Sequence, residues 1–207
     1  MRSGSTEEHW QAVYGKSKPD QVGWFQQEHK VSVDLILSSG VSKQARILDV
    51  GSGATTLLDA LVELGYSNVI ATDISEEGLA HSQRRLGDSV EWVVDDLTRS
   101  TKLLEMEQID LWHDRAVLHF FTSEEERNGY RDVLMGLLKV GGFAAIETFS
   151  TEGAPQCSGL DLHRYDEQML QDFLGLNFEL LHSLRHIHIT PGGGERPYVS
   201  TLFKRLS

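Results

Sequence analysis

From Ala45 onward the chain alternates short β-branched or apolar runs with longer amphipathic stretches, and the early runs end on a glycine or an acid. Runs of this kind between helical patterns dictate βαβ units and a mostly parallel sheet, because a strand covered by helices on both faces has no polar side to show. The predicted strands are Ala45–Val50, Asn68–Asp73, Ser89–Val94, Ile109–His113 and Phe143–Phe149, the last opened by a Gly141-Gly142 turn. Helical patterns lie between them. They cover about 55–64, closed by Gly65, about 75–86, closed by Gly87, and a third that starts at the capping box Ser123-x-x-Glu126 and runs to about Lys139. A Gly/Pro/Ser-rich loop, Ser150–Gly159, precedes a helix over about 166–174. Two closing strands, Phe178–His188 and Pro197–Lys204, join through Thr190-Pro-Gly-Gly-Gly194 as an antiparallel hairpin appended to the sheet.

Composition narrows the function classes. With 31 Asp+Glu against 19 Lys+Arg the formal net charge is −12, a field that repels phosphate backbones and anionic membranes, so neither nucleic acid nor a membrane is an expected partner. Cys157 is the only cysteine, which rules out an intramolecular disulfide and a cysteine-rich zinc cluster. No stretch has the apolar length of a membrane span, and the opening MRSGSTEEHW lacks the basic-then-apolar layout of a secretory signal. A cytoplasmic protein of one domain, 1–207, is expected. Its core is 45–207, and 1–44 forms a cap segment in which Trp10, Tyr14, Trp24 and Phe25 surround the turn residues Gly15, Pro19 and Gly23 and pack over one edge.

The strongest constellation is Asp49-Val-Gly51-Ser-Gly53, which leads from the first strand straight into a helix. Glycines there let a ligand approach the backbone, and the helix start offers unpaired N–H groups. Asp73 follows Gly51 by 22 residues, close to the spacing at which a carboxylate accepts bonds from a ribose diol. Asp96, at the end of the third strand, is placed to accept from an adenine amino group. Each acid also has a local reading: Asp73 as a cap for the next helix, Asp96 as a turn former before Leu97-Thr98. Thr56 stands where a dinucleotide site has its third glycine, which disfavours a pyrophosphate.

Asp49-Val-Gly51-Ser-Gly53, Thr72-Asp73-Ile74-Ser75, Val94-Asp95-Asp96-Leu97, Ile109-Asp-Leu-Trp-His-Asp114 and Leu138-Lys-Val-Gly-Gly-Phe143 together resemble the ordered motif series of class I S-adenosylmethionine-dependent methyltransferases. The resemblance runs from about Ala45 to Lys204. It implies an α/β, Rossmann-like, doubly wound seven-stranded sheet in the order 3-2-1-4-5-7-6 with strand seven antiparallel and helices on both faces. It implies S-adenosylmethionine as cofactor and S-adenosylhomocysteine as product. The matching positions Asp49, Gly51, Ser52, Gly53, Asp73, Ile74, Asp96, Leu97 and His113 would hold it: Gly51 and Gly53 beside the methionine part, Asp73 on the ribose, Asp96 and Leu97 at the adenine, His113 near the sulfonium.

The acceptor is expected to be a small molecule, attacked in line. If its nucleophile must lose a proton, His113 and His119 are the nearest candidate bases. Trp24 and Phe25 would present ring faces to a cation, and Arg164 and Tyr165, after the Cys157-Ser-Gly159 loop, would bind the acceptor. His186-Ile-His188 puts two imidazoles on one strand face without a third ligand, so no metal is expected. The aromatic amino-terminal segment resembles that of protein-lysine methylating enzymes, but His113-Asp-Arg-Ala-Val departs from their acidic-Lys-Gly run. A protein-lysine methyltransferase, a nicotinamide-dependent oxidoreductase and a non-catalytic nucleoside-binding protein are the alternatives.

Overall fold

The computed structural model describes residues 6–16 and 18–207; residues 1–5, part of the opening read above for a signal layout, lie outside them, as does 17. Seven strands form one sheet in the order β3-β2-β1-β4-β5-β9-β8. They are β1 (Arg46–Val50), β2 (Asn68–Asp73), β3 (Val90–Val94), β4 (Ile109–Arg115), β5 (Leu138–Phe149), β8 (Phe178–Ile189) and β9 (Glu195–Arg205). β1 to β5 pair in parallel, and β9 runs antiparallel between β5 and β8. Two short strands, β6 (Gln156–Cys157) and β7 (Leu160–Asp161), pair apart from this sheet. Without them the order is the expected 3-2-1-4-5-7-6.

Alternation along each strand divides the core between two faces. Ile47, Val69, Ala71 and Leu111 point to one face, against Ile36 of α2 (Lys30–Ser38), Leu57, Leu58 and Leu61 of α3 (Leu57–Glu63) and Leu79 of α4 (Glu76–Leu86). Leu48, Ile70, Trp112 and Ile146 point to the other, against Tyr130, Leu134 and Leu137 of α5 (Glu124–Leu137) and Leu170 and Leu174 of α6 (Glu167–Leu174). The sheet is therefore covered on both sides, as its continuous apolar strands require. α1 (Thr6–Lys16) instead reaches α4 and buries only Tyr14. No described helix is long and apolar enough to cross a membrane.

Local signals set the helix ends. Ser75 caps α4 by accepting from the Gly78 N–H, the Ser123–Glu126 capping box opens α5, and Asp166 caps α6. Two expectations need correction. α5 stops at Leu137 and β5 begins at Leu138, so Gly141-Gly142 is not a turn before the strand but an irregularity within it: Leu138 pairs with Ile109 and Phe143 with Leu111. The buried Leu138 side chain is better served paired in the sheet than in a last helical turn. The loop after β5 holds a hairpin, β6 and β7, whose turn residues Ser158 and Gly159 both have positive φ, the requirement of a tight two-residue hairpin turn.

Gly129, inside α5, faces the backbone of the Asp96–Arg99 turn: a Cβ there would lie 2.0 Å from the Thr98 carbonyl oxygen. Gly129→Ala gains about 1 kcal/mol of helix propensity. The collision with backbone outweighs it, so urea unfolding should show the variant destabilised by about 1–3 kcal/mol.

Candidate active site

The carboxyl ends of β1 to β5 meet the amino-terminal segment around a cavity of about 610 Å³. Trp10, Tyr14 and Trp24 form one wall, with the Trp10 ring 5.6 Å from Trp24 and 5.0 Å from Phe120. Polar bonds dock this segment onto the sheet edge. The Arg115 Nη1 donates to the Trp24 carbonyl at 3.0 Å, the His188 Nε2 donates to that of Gly23 at 2.9 Å, and the Thr56 hydroxyl donates to that of Gln26 at 3.2 Å. His29 Nε2 and Thr56 Oγ1 are 3.0 Å apart. Thr56, noticed in the sequence only for not being glycine, is thus a docking point.

Gly51 and Gly53 have φ of +60° and +49°, a region that favours glycine. The close neighbours that exclude a Cβ belong to the protein: at 51 it would lie 2.1 Å from Val117 Cγ2, and at 53 it would lie 2.0 Å from the Tyr14 hydroxyl oxygen. Tyr14 also rests against Gly78. The glycine turn is shaped to receive an aromatic side chain as well as a ligand.

Asp73 lines the cavity with its carboxylate held by two backbone donors, the Gly53 N–H on Oδ2 at 2.9 Å and the Ser75 N–H on Oδ1 at 2.8 Å. Each oxygen keeps lone-pair capacity for a further donor. Burial pushes the acid up to about 6 despite those two bonds. Ile74, Asp96 and Leu97 line the same cavity. Asp96 accepts from the Thr98 N–H and hydroxyl on Oδ1 and from Arg99 Nε on Oδ2, so it does form the local turn.

Asp49, Ser52 and His113 lie behind the glycine turn in a buried chain of charge. β1 and β4 pair Asp49 with His113, and their side chains meet at 2.6 Å between Oδ1 and Nδ1. Ser52 donates to the other Asp49 oxygen at 2.6 Å. On its far side, the His113 Nε2 stands 3.4 Å from Glu147 Oε1. Glu147 also accepts from the Ser32 hydroxyl of α2, and from the Ser200 hydroxyl of β9 at 2.8 Å. Burial alone would push the His113 imidazole down. The bonds to Asp49 and Glu147 outweigh it and hold the pKa up at about 9, so His113 is an imidazolium with both nitrogens engaged. Glu147, sunk in an apolar strand, is the functional-edge residue that sequence reasoning missed; its signal was a lone charge between Ile146 and Phe149.

His119 is fully buried, yet lines the cavity. Its Nδ1 accepts from the Phe149 N–H at 3.2 Å, which fixes the proton on Nε2, an atom without a partner. Burial holds its pKa down at about 3, so it is a neutral donor. Trp24 lines the cavity, whereas Phe25 lies beside a smaller recess near His29. Arg164 and Tyr165 do not line it. Arg164 donates to the carbonyls of Thr151 and Gly153, and Tyr165 is packed into the core beside Phe173. The same stretch reaches the cavity through Cys157, Ser158, Gly159 and Leu160 instead. His186 turns to Ser200 at 2.9 Å and His188 to Gly23, so the two imidazoles serve separate partners.

Residues 47–142, which carry β1 to β4, α5 and the turns between them, match the sequence model of a methyltransferase-domain family. Among curated proteins no sequence matches. A methyltransferase from Anabaena variabilis superposes with a TM-score of 0.81 at 16% identity, over 98% of this chain and 96% of that one. The 1,6-didemethyltoxoflavin-N1-methyltransferase of Burkholderia thailandensis superposes with a TM-score of 0.67 at 20% identity, over 98% and 84%. These likenesses show the fold. The family match makes residues 47–142 a methyltransferase domain, whose cofactor is S-adenosylmethionine. The nicotinamide reading is thereby set aside.

The His113 charge links stability to pH. Its folded pKa of about 9 lies above the ordinary 6.5, so its contribution is complete below 6.5 and is lost as pH rises through about 9. Urea unfolding of the wild type should weaken over that window, and the decline should shrink in His113→Gln. His113→Ala, which leaves Asp49 and Glu147 buried without their cation, should cost about 3–5 kcal/mol at neutral pH.

Proposed function

We propose that the chain transfers the methyl group of S-adenosylmethionine to a small-molecule acceptor, with Asp73 receiving the ribose hydroxyls and the Asp96-Leu97 turn beside the adenine. The observation that carries this is the Asp73 carboxylate: buried, fixed by the Gly53 and Ser75 amides, and facing the cavity with acceptor capacity to spare. Ile74 and Leu97 supply apolar wall, and Gly51 the approach beside the methionine part. The buried Asp49–His113–Glu147 chain keeps the glycine turn in register behind it. That the Burkholderia enzyme binds 1,6-didemethyltoxoflavin and S-adenosylhomocysteine supports a small acceptor here.

When bound, the cofactor supplies an electrophilic methyl on a good leaving group, so the protein's task is mainly to align the acceptor and exclude water. Neither histidine is a ready base. His113 carries its proton between two carboxylates, and the His119 lone pair is occupied by the Phe149 N–H. We therefore assign both to positioning: His113 holds the strand ends and His119 donates a hydrogen bond. The aromatic wall of Trp10, Tyr14 and Trp24 shields the reacting atoms. A reducing cytoplasm suits the unpaired Cys157.

Calorimetric titration with S-adenosylmethionine tests the site. Two charge-assisted bonds of about 1.5 kcal/mol each predict that Asp73→Ala weakens binding on the order of 100-fold while circular dichroism stays unchanged. Wild-type affinity should also fall as pH drops through about 6, where the carboxylate takes up its proton, and Asp73→Asn should flatten that step. Unchanged affinity in Asp73→Ala would overturn the assignment, and tight binding without turnover on any acceptor would favour a non-catalytic role.

A further inference from the structure

The charged lining of the cavity is divided by element. The acids come from the ends of β2 and β3, as Asp73, Asp95 and Asp96, and from the first turn of α5; Arg99, the one cation among them in the described lining, is bound to Asp96. The opposite sector, built from the ends of β4, β5 and β9 and the β6–β7 hairpin, contributes Arg115, His119 and Arg196 and, among the described residues, no carboxylate. Two acids lie just behind this sector, and both are buried and engaged: Asp114 accepts from the Val117 and Leu118 amides and the Tyr130 hydroxyl, and Glu147 is met by His113, Ser32 and Ser200.

Three donors in that sector are unspent. The Arg115 guanidinium lies over the Tyr198 ring, 5.3 Å from its centroid, and uses Nη1 on the Trp24 carbonyl; its Nε and Nη2 are buried without partners. The His119 Nε2–H is likewise buried and unpartnered. Rings surround both, since Phe149 lies 4.9 Å from Tyr198 and 4.8 Å from His119. Buried donors left without acceptors are costly, and two guanidinium nitrogens side by side match the geometry of a carboxylate.

We propose that the methyl acceptor is a flat organic anion, a carboxylate on an aromatic or conjugated body, received by the Arg115 guanidinium with its ring against Tyr198 and Phe149 and an oxygen or nitrogen on the His119 Nε2–H. This rests on the methyl-transfer reading and deepens it. It also runs against the protein-lysine alternative, because the Arg115 guanidinium and the His119 Nε2–H are donors and give an ammonium group nothing to donate to.

The same guanidinium chemistry would suit the carboxylate of the cofactor, so the test separates the two sources. The full chain is saturated with S-adenosylhomocysteine and titrated with a matched panel: benzoate and its hydroxy derivatives, the corresponding benzamides, and the corresponding benzylamines. The expected result is that carboxylates bind about tenfold or more tightly than their amides, while the amines do not bind. In Arg115→Gln that preference should collapse, with S-adenosylhomocysteine affinity within about threefold of the wild type. Amides or amines that bind as well as carboxylates would overturn the proposal, as would a panel in which no carboxylate binds. A tenfold or greater loss of S-adenosylhomocysteine affinity in Arg115→Gln would give the guanidinium to the cofactor and also overturn it. Wild-type protein that binds no S-adenosylhomocysteine at all would instead overturn the methyl-transfer reading, and this one with it.

Discussion

The imidazolium of His113, fixed between Asp49 and Glu147, is the interaction on which the carboxyl edge of the sheet depends. Three charges sealed from water are costly unless each meets its complement, and here every one does. Asp49 belongs to β1, His113 to β4 and Glu147 to β5; Ser32 and Ser200 extend the chain to α2 and β9. Backbone pairing alone leaves the ends of parallel strands free to splay. This charge chain pins five elements at the level where the cavity begins, so the glycine turn, Arg115 and the β5 end keep fixed relative positions.

The amino-terminal segment is attached differently. Polar contacts at Gly23, Trp24, Gln26 and His29 reach β8, β4 and Thr56 just before α3, and Tyr14 settles on Gly53 and Gly78. Those contacts close the aromatic side of the cavity without merging the segment into either core. Ala116, at φ +73°, stands at the same edge and donates its N–H to the Glu147 carbonyl at 2.9 Å. A left-handed residue other than glycine is held only where its neighbours determine it. The turn after Arg115 is therefore built tightly against the buried glutamate strand.

Much of the fold was legible because each layer of signal agreed with the next. Apolar runs gave the strands, Gly65 and Gly87 ended helices, and Ser123 with Glu126 opened α5 where expected. The place of Asp73 at the end of β2 was legible for the same reason, since its distance from Gly51 follows from the length of one βαβ unit. What could not be read came from contacts across the sheet. Nothing local marks His113 as charged; that follows from Asp49 and Glu147 meeting it from neighbouring strands. Nor does sequence order show that Arg164 turns away to hold backbone carbonyls while Cys157 and Leu160, on a hairpin only two residues long per strand, reach the cavity.

The seat of Tyr14 on Gly53 and Gly78 has an evolutionary corollary. A side chain at either glycine would occupy the volume the phenol ring fills, so the three positions should vary as a unit although two whole strands, β1 and β2, and two whole helices, α2 and α3, separate the first from the last in the chain. A lineage that gained an alanine at 53 would need a smaller residue at 14 to keep the segment seated. Among relatives of this protein, the presence of an aromatic residue at 14 should therefore track the glycines more faithfully than it tracks the strand residues next to them.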